Sequence, residues 1–204
     1  MRNLLWLNPV VWNMYDQQSL AAELAAKNFT IVHCEQDHIT HVKQQYRQAV
    51  ANHTNCVVDM RCPLAVSYIK QTYATDQLVF PAIHPILIHC AQELHQRYAN
   101  DPEHQLSIIT PCQSLQELGN SLHLPQTLFL TWNEFVQKYG IISEKRHLTQ
   151  SPIPPGFFQE YGERTDSLAS KQQIDAYFTS GNKKHTEMLE MLYCPDGCHN
   201  GDGV

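Results

Sequence analysis

Apolar residues in this chain fall into short, well-separated runs. Leu4-Leu5-Trp6-Leu7 reads as a buried strand that stops at Asn8-Pro9, and Phe29-Thr30-Ile31-Val32 as a second. Cys56-Val57-Val58-Asp59-Met60, Leu106-Ser107-Ile108-Ile109 and Leu128-Phe129-Leu130-Thr131 supply three more. Between them the apolar positions change to helical spacing. Leu20, Leu24 and Ala25 mark a helix that ends at Lys27-Asn28. Val42, Tyr46 and Val50, at i, i+4 and i+8, mark a surface helix across the Gln-rich stretch 38–51. Further helices are expected over 66–73, 86–98 and 132–139. Ser151-Pro152-Ile153-Pro154-Pro155-Gly156 is punctuated as a loop. The segment 174–178 reads as a sixth strand, and 185–192 as a short helix or strand.

Strands alternating with helices predict an α/β fold with mainly parallel pairing. The length suits a single domain over 1–204, organised as two small lobes of sheet flanked by helices. Their approximate bounds are expected at 1–104 and 105–204.

Composition excludes several classes of function. Hydrophobic residues at 43% and charged residues at 17% are the balance of an ordinary globular protein. A net charge of -6 with no Lys/Arg-rich run argues against a nucleic-acid partner. No apolar stretch approaches the roughly 18 residues needed to span a bilayer, so no membrane partner is expected. The first residues carry one Arg and a short apolar run, without the features of a secretory signal, and a cytoplasmic location is expected.

Seven cysteines then need a reason. An odd count and the lack of an export signal fit a disulfide framework poorly, which leaves buried small side chains or metal ligands. Cys62 and Cys112 each follow an expected strand, the position where open α/β sheets bind ligands. The C-terminal run Cys194-Pro195-Asp196-Gly197-Cys198-His199-Asn200-Gly201-Asp202-Gly203 pairs two cysteines among glycines that allow close backbone approach. Alone, C-x3-C is a weak metal signal, since zinc hooks usually use two or four intervening residues.

Taken together, Asp59-Met60-Arg61-Cys62-Pro63, Ile109-Thr110-Pro111-Cys112 and the Cys194–Gly203 run resemble the three signature motifs of iron-only (di-iron) hydrogenases. The order of Tyr68-Ile69, Pro81, Pro85 and the helix after them also runs as in that family. So does the Gly156-Phe157-Phe158 to Gly162 stretch ahead of Glu190. The likeness covers most of the chain in a compact form, closest to the short sensory or regulatory branches. It implies a 4Fe-4S cluster on Cys62, Cys112, Cys194 and Cys198, in a cleft between the two lobes. In the family a di-iron subcluster (the H-cluster) is bridged through the cysteine matching Cys198.

Several positions depart from the catalytic pattern. Arg61 stands where active enzymes have a proton-relaying cysteine, and an Arg cannot give up its proton near neutral pH. Leu115 and Leu118 replace a cyanide-binding lysine and a proton-path glutamate. Thr110 replaces a methionine, and Asp202 interrupts the glycines. These losses favour a 4Fe-4S redox or sensory module without efficient hydrogen turnover. The alternative is a minimal iron-only hydrogenase, an oxidoreductase interconverting H2 with protons and electrons. Either reading implies a separate electron-transfer or signalling partner, and the alternative adds maturation proteins. Cys34, Cys56 and Cys90 match no motif and are expected as structural thiols. His84, His89 and His199 are expected as satisfied polar residues, and Trp6, Trp12 and Trp132 as core.

Overall fold

The computed structural model describes residues 2–180 and 186–204. In chain order its elements are β1 (Arg2–Trp6), α1 (Pro9–Asn13), α2 (Gln17–Ala26), β2 (Phe29–Ile31), α3 (His38–Asn52), β3 (Cys56–Val58), α4 (Pro63–Thr72) and β4 (Leu78–Val79). There follow α5 (Ile86–Tyr98), β5 (His104–Thr110), α6 (Gln113–Asn120), β6 (Thr127–Thr131), α7 (Trp132–Tyr139), β7 (Thr165–Ala169), α8 (Lys171–Thr179) and β8 (Met188–Leu192). Short 3-10 turns cover Gln159–Arg164 and Cys198–Asn200.

Local chemistry sets many of the boundaries. The Asp16 and Asp37 carboxylates accept the backbone N–H groups of Ser19 and Thr40, each at 3.0 Å, and so start α2 and α3. Thr131 and Glu134 form a reciprocal capping box that turns β6 directly into α7. Gly140, at φ 64°, ends that helix in the left-handed conformation.

The fold is α/β, with two four-stranded parallel sheets flanked by helices. Each sheet belongs to its own compact unit. The first comprises Met1–Gln36, Leu87–Ile153 and Cys198–Val204, and the second Asp37–Ile86 and Pro154–Gly197. The expected division into 1–104 and 105–204 therefore does not describe them. The units interleave along the chain, because each sheet recruits strands from both its early and its late parts.

In the first unit the strand order is β2-β1-β5-β6. The last five residues of β5 are all buried, as expected where helices cover both faces of a parallel sheet. Leu5, Leu20, Leu24, Trp132 and Phe135 fill one core, with Trp12 partly buried at its edge. Trp6 is buried too. In the second unit the order is β4-β3-β8-β7. Every residue of β8 is buried, Glu190 included. Val42, Tyr46, Val57, Phe158 and Met188 form one cluster, and Val58, Ala65, Ile69, Ile174, Leu189 and Met191 another.

The type of one expected element is corrected. The segment 174–178 lies in α8 and is not a strand. Ser170 accepts the Gln173 N–H at 3.1 Å to start that helix, and Lys171 pairs with Asp175 one turn on at 2.7 Å. A short apolar run alone fits either period, and here the cap decides. β7, Thr-Asp-Ser-Leu-Ala, has little intrinsic strand character and was not anticipated. It is a strand because β8 pairs with it along its whole length. Of the segment 185–192, residue 185 lies outside the described residues, and β8 occupies Met188–Leu192.

Candidate functional site

The first unit's sheet has a switch point between β1 and β5, whose connections run to β2 on one side and to β6 on the other; in the second unit β3 and β8 are the two central strands. Ligands of open α/β sheets bind beyond the carboxyl ends of strands at such points.

In the second unit, β3 runs out through Asp59-Met60-Arg61 to Cys62, the N-cap of α4, with Pro63 in the first turn. β8 runs out through Tyr193 to Cys194. The two strands are parallel neighbours, with Val58 opposite Leu189, so both cysteines emerge at the same end of the sheet. Burial raises the Cys62 thiol pKa, while the backbone N–H groups of Ala65, Tyr193 and Leu64 pull it back down. Those amides would favour a thiolate or a metal-bound sulfur. Beyond Cys194 the chain turns through Asp196 (φ 57°) and Gly197 (φ 115°).

The same end of the second sheet holds a buried ionic network centred on Arg61. The guanidinium reaches Asp59 at 2.8 Å and Glu190 at 2.7 Å, with Arg61 8% exposed and both carboxylates 0%. Its Cζ also lies 3.9 Å from the centroid of the Phe157 ring. Glu190 accepts three further bonds, from the Gly156 and Phe157 N–H groups at 2.8 Å each and the Ser167 hydroxyl at 2.6 Å. Tyr46 donates to Asp59 at 3.3 Å and accepts the Met60 N–H at 2.7 Å. Burial alone would lower the Arg61 pKa, but Asp59 and Glu190 hold it above the ordinary value. The Arg61 side chain is thus a fixed structural cation.

In the first unit, β5 runs out through Thr110-Pro111 to Cys112, the N-cap of α6. The Thr110 hydroxyl bonds the Cys112 carbonyl at 3.0 Å, which fixes the turn. The C-terminal segment packs onto this turn. The Cys198 N–H donates to the Ile153 carbonyl at 3.4 Å, and the Gly203 carbonyl accepts the Asn133 N–H at 3.0 Å. A Cβ on Gly201 would run into the Pro111 carbonyl, and one on Gly203 would lie 2.8 Å from the Thr131 side chain. These glycines are there for close approach. Asp202, which breaks the glycine run, accepts the Gln113 N–H at 2.9 Å and so favours the start of α6. Leu115 is buried on α6 and Leu118 half-buried. His199 Nδ1, beside Cys198, is buried with no hydrogen-bond partner among the described residues.

The four motif cysteines therefore divide two and two. Cys62 and Cys194 leave adjacent strands of the second sheet. Cys112 and the segment bearing Cys198 meet in the first unit. A thiol at a helix N-cap in each unit, backbone N–H groups at the Cys62 sulfur and close-packed glycines beside Cys112 are features that suit a metal-bound thiolate.

The pair Cys34 and Cys90, read from sequence as unrelated structural thiols, also comes together in the first unit. Their sulfurs lie within 4.8 Å of each other. The hydrogen bond between these thiols lowers the Cys34 pKa and raises that of Cys90. Only the helical spacing of Cys90, Glu93 and Arg97 hinted at this, and it needed the loop after β2 to give it meaning. Cys56 packs at the edge of a core cluster of the second unit. No helix among the described residues is long and apolar enough to cross a membrane. No known family model matches the chain, and no curated protein matches it.

Proposed function

We propose that this chain holds a 4Fe-4S cluster on Cys62, Cys112, Cys194 and Cys198, as a redox or sensory module of the iron-only hydrogenase type, without efficient hydrogen turnover. The observation that carries this reading is the placement of a motif cysteine at the N-cap of the helix beyond a central strand in each sheet, with Cys194 following the neighbouring strand in the second unit and the segment that bears Cys198 packed on the Cys112 turn in the first. When bound, the cluster supplies one-electron chemistry. The chain's own part is to present thiolates, shield them with backbone N–H groups, and keep bulk away through Gly201 and Gly203.

Arg61 supports the non-catalytic half of the proposal. Its proton is held by Asp59 and Glu190, so it cannot pass protons as a relay thiol would. Leu115 offers an anionic ligand only apolar surface, which is costly. General acid–base steps typically contribute about 100- to 10,000-fold, and their loss should leave little turnover.

The test is hydrogen evolution from reduced viologen after the anaerobic protein is supplied with a di-iron mimic. Little or no evolution is expected, with weak or absent infrared bands for CO and cyanide. Turnover within about tenfold of a full-length hydrogenase would reject the sensory reading and establish the minimal hydrogenase instead.

A further inference from the structure

The loop after β2 is clamped to α5 by an arrangement that the iron-sulfur reading does not use. Glu93, buried on α5, accepts the N–H groups of Glu35 at 2.8 Å and Gln36 at 3.2 Å. Arg97, one turn further, donates to the His33 carbonyl at 2.8 Å and pairs with Glu93 itself. Cys34 sits between these anchored residues, and Cys90 lies one turn before Glu93 on the same face of the helix. The clamp thus fixes the two sulfurs within 4.8 Å of each other before any ligand arrives. The Cys34 Sγ also lies 4.0 Å from the Cys90 carbonyl oxygen.

His38 follows Cys34 by four positions. A ring nitrogen of His38 lies within 4.8 Å of both sulfurs. Two thiolates and one imidazole are a zinc ligand set, with water free to complete the tetrahedron.

We propose that Cys34 and Cys90, with His38 as third ligand, bind a zinc ion at a site that uses none of the four motif cysteines. The site is structural or regulatory in kind. It ties the β2 loop to α5 by metal coordination as well as by the Glu93 and Arg97 clamp, and metal binding couples to local stability.

The test is titration of reduced, iron-free chain with Co2+ and then Zn2+, in the wild type and in Cys34→Ser, Cys90→Ser, His38→Ala and the double variant Cys112→Ser/Cys198→Ser. The wild type should show thiolate-to-cobalt charge-transfer bands and tetrahedral visible bands that Zn2+ displaces. Mutation of partners that merely orient a ligand costs about 10–100-fold in metal affinity, so Cys34→Ser or Cys90→Ser should cost more than about 100-fold. His38→Ala should weaken binding less than either. The Cys112→Ser/Cys198→Ser variant should keep the cobalt spectrum, which separates this result from failure of the iron-sulfur reading. Should a serine variant misfold by circular dichroism, alkylation decides the matter: zinc should slow labelling of Cys34 and Cys90 in the wild type. Wild-type zinc affinity in folded Cys34→Ser and Cys90→Ser would overturn the proposal. So would cobalt bands that vanish only in the Cys112→Ser/Cys198→Ser variant, or labelling of Cys34 and Cys90 that zinc leaves unchanged.

Discussion

The turn from β3 to α4 and the turn from β5 to α6 follow one plan: a buried parallel strand, a short turn, then a cysteine at the helix N-cap. What surrounds the two cysteines differs. Around Cys62 the turn is held by charge, through Asp59, Arg61 and Glu190. Around Cys112 it is held by shape, through the Thr110 hydroxyl, the Pro111 carbonyl and the glycines of the C-terminal segment. One backbone device can therefore be stabilised in two ways that fail differently. A charge network fails when one member is removed, and a close-packed turn fails when bulk is added.

The largest expected effect comes from unbalancing the charges. Arg61→Leu leaves Asp59 and Glu190 buried without their cation, and should cost about 3–5 kcal/mol in denaturant unfolding. Combining it with Asp59→Asn and Glu190→Gln should recover part of that loss. A near-neutral Arg61→Leu would break the contrast between the two turns. Next comes Gly201→Ala, which drives a Cβ into the Pro111 carbonyl and should cost about 1–3 kcal/mol as an overpacked substitution. Thr110→Val, which keeps the shape but removes the bond to the Cys112 carbonyl, should cost about 1 kcal/mol in the same assay. The smallest effect belongs to an exposed ion pair of the second unit. Lys171, with Tyr68 and Tyr73, lowers the Asp175 pKa to about 2. A depressed carboxyl adds stability above its unfolded value of about 3.9, and that stability fades as the pH falls toward 2. Asp175→Asn should lower stability slightly at neutral pH and flatten the acid limb of the profile, the two proteins converging as the pH falls toward 2. A large change at neutral pH would show that charge matters as much on this unit's surface as in its interior.

Much of the fold was legible because its strands are apolar runs closed by clear punctuation. Val57-Val58 before Asp59, and Leu128-Phe129-Leu130 before the Thr131 capping box, announce both their type and their end. What could not be read depended on partners distant in the chain. β7 becomes a strand only beside β8, and the unit boundaries follow pairings such as β1 with β5 and β3 with β8. The site shows the same split. The placement of Cys62 and Cys112 beyond strands was visible from spacing. The role of Arg61 was visible only as a loss, because Glu190 lies far along the chain and its pairing with Arg61 leaves no local mark. The approach of Cys34 to Cys90 was hidden for the same reason, since the Glu93 and Arg97 clamp joins segments on either side of the second unit's first elements.

The central claim is that four particular thiols share one cluster. It is tested most directly by iron and sulfide content after anaerobic reconstitution, compared across Cys62→Ala, Cys112→Ala, Cys194→Ala, Cys198→Ala and Cys56→Ser. About four iron and four sulfide per chain are expected in the wild type and in Cys56→Ser, with a marked fall in each of the other four. Full iron and an unchanged absorption spectrum in Cys112→Ala would contradict the account.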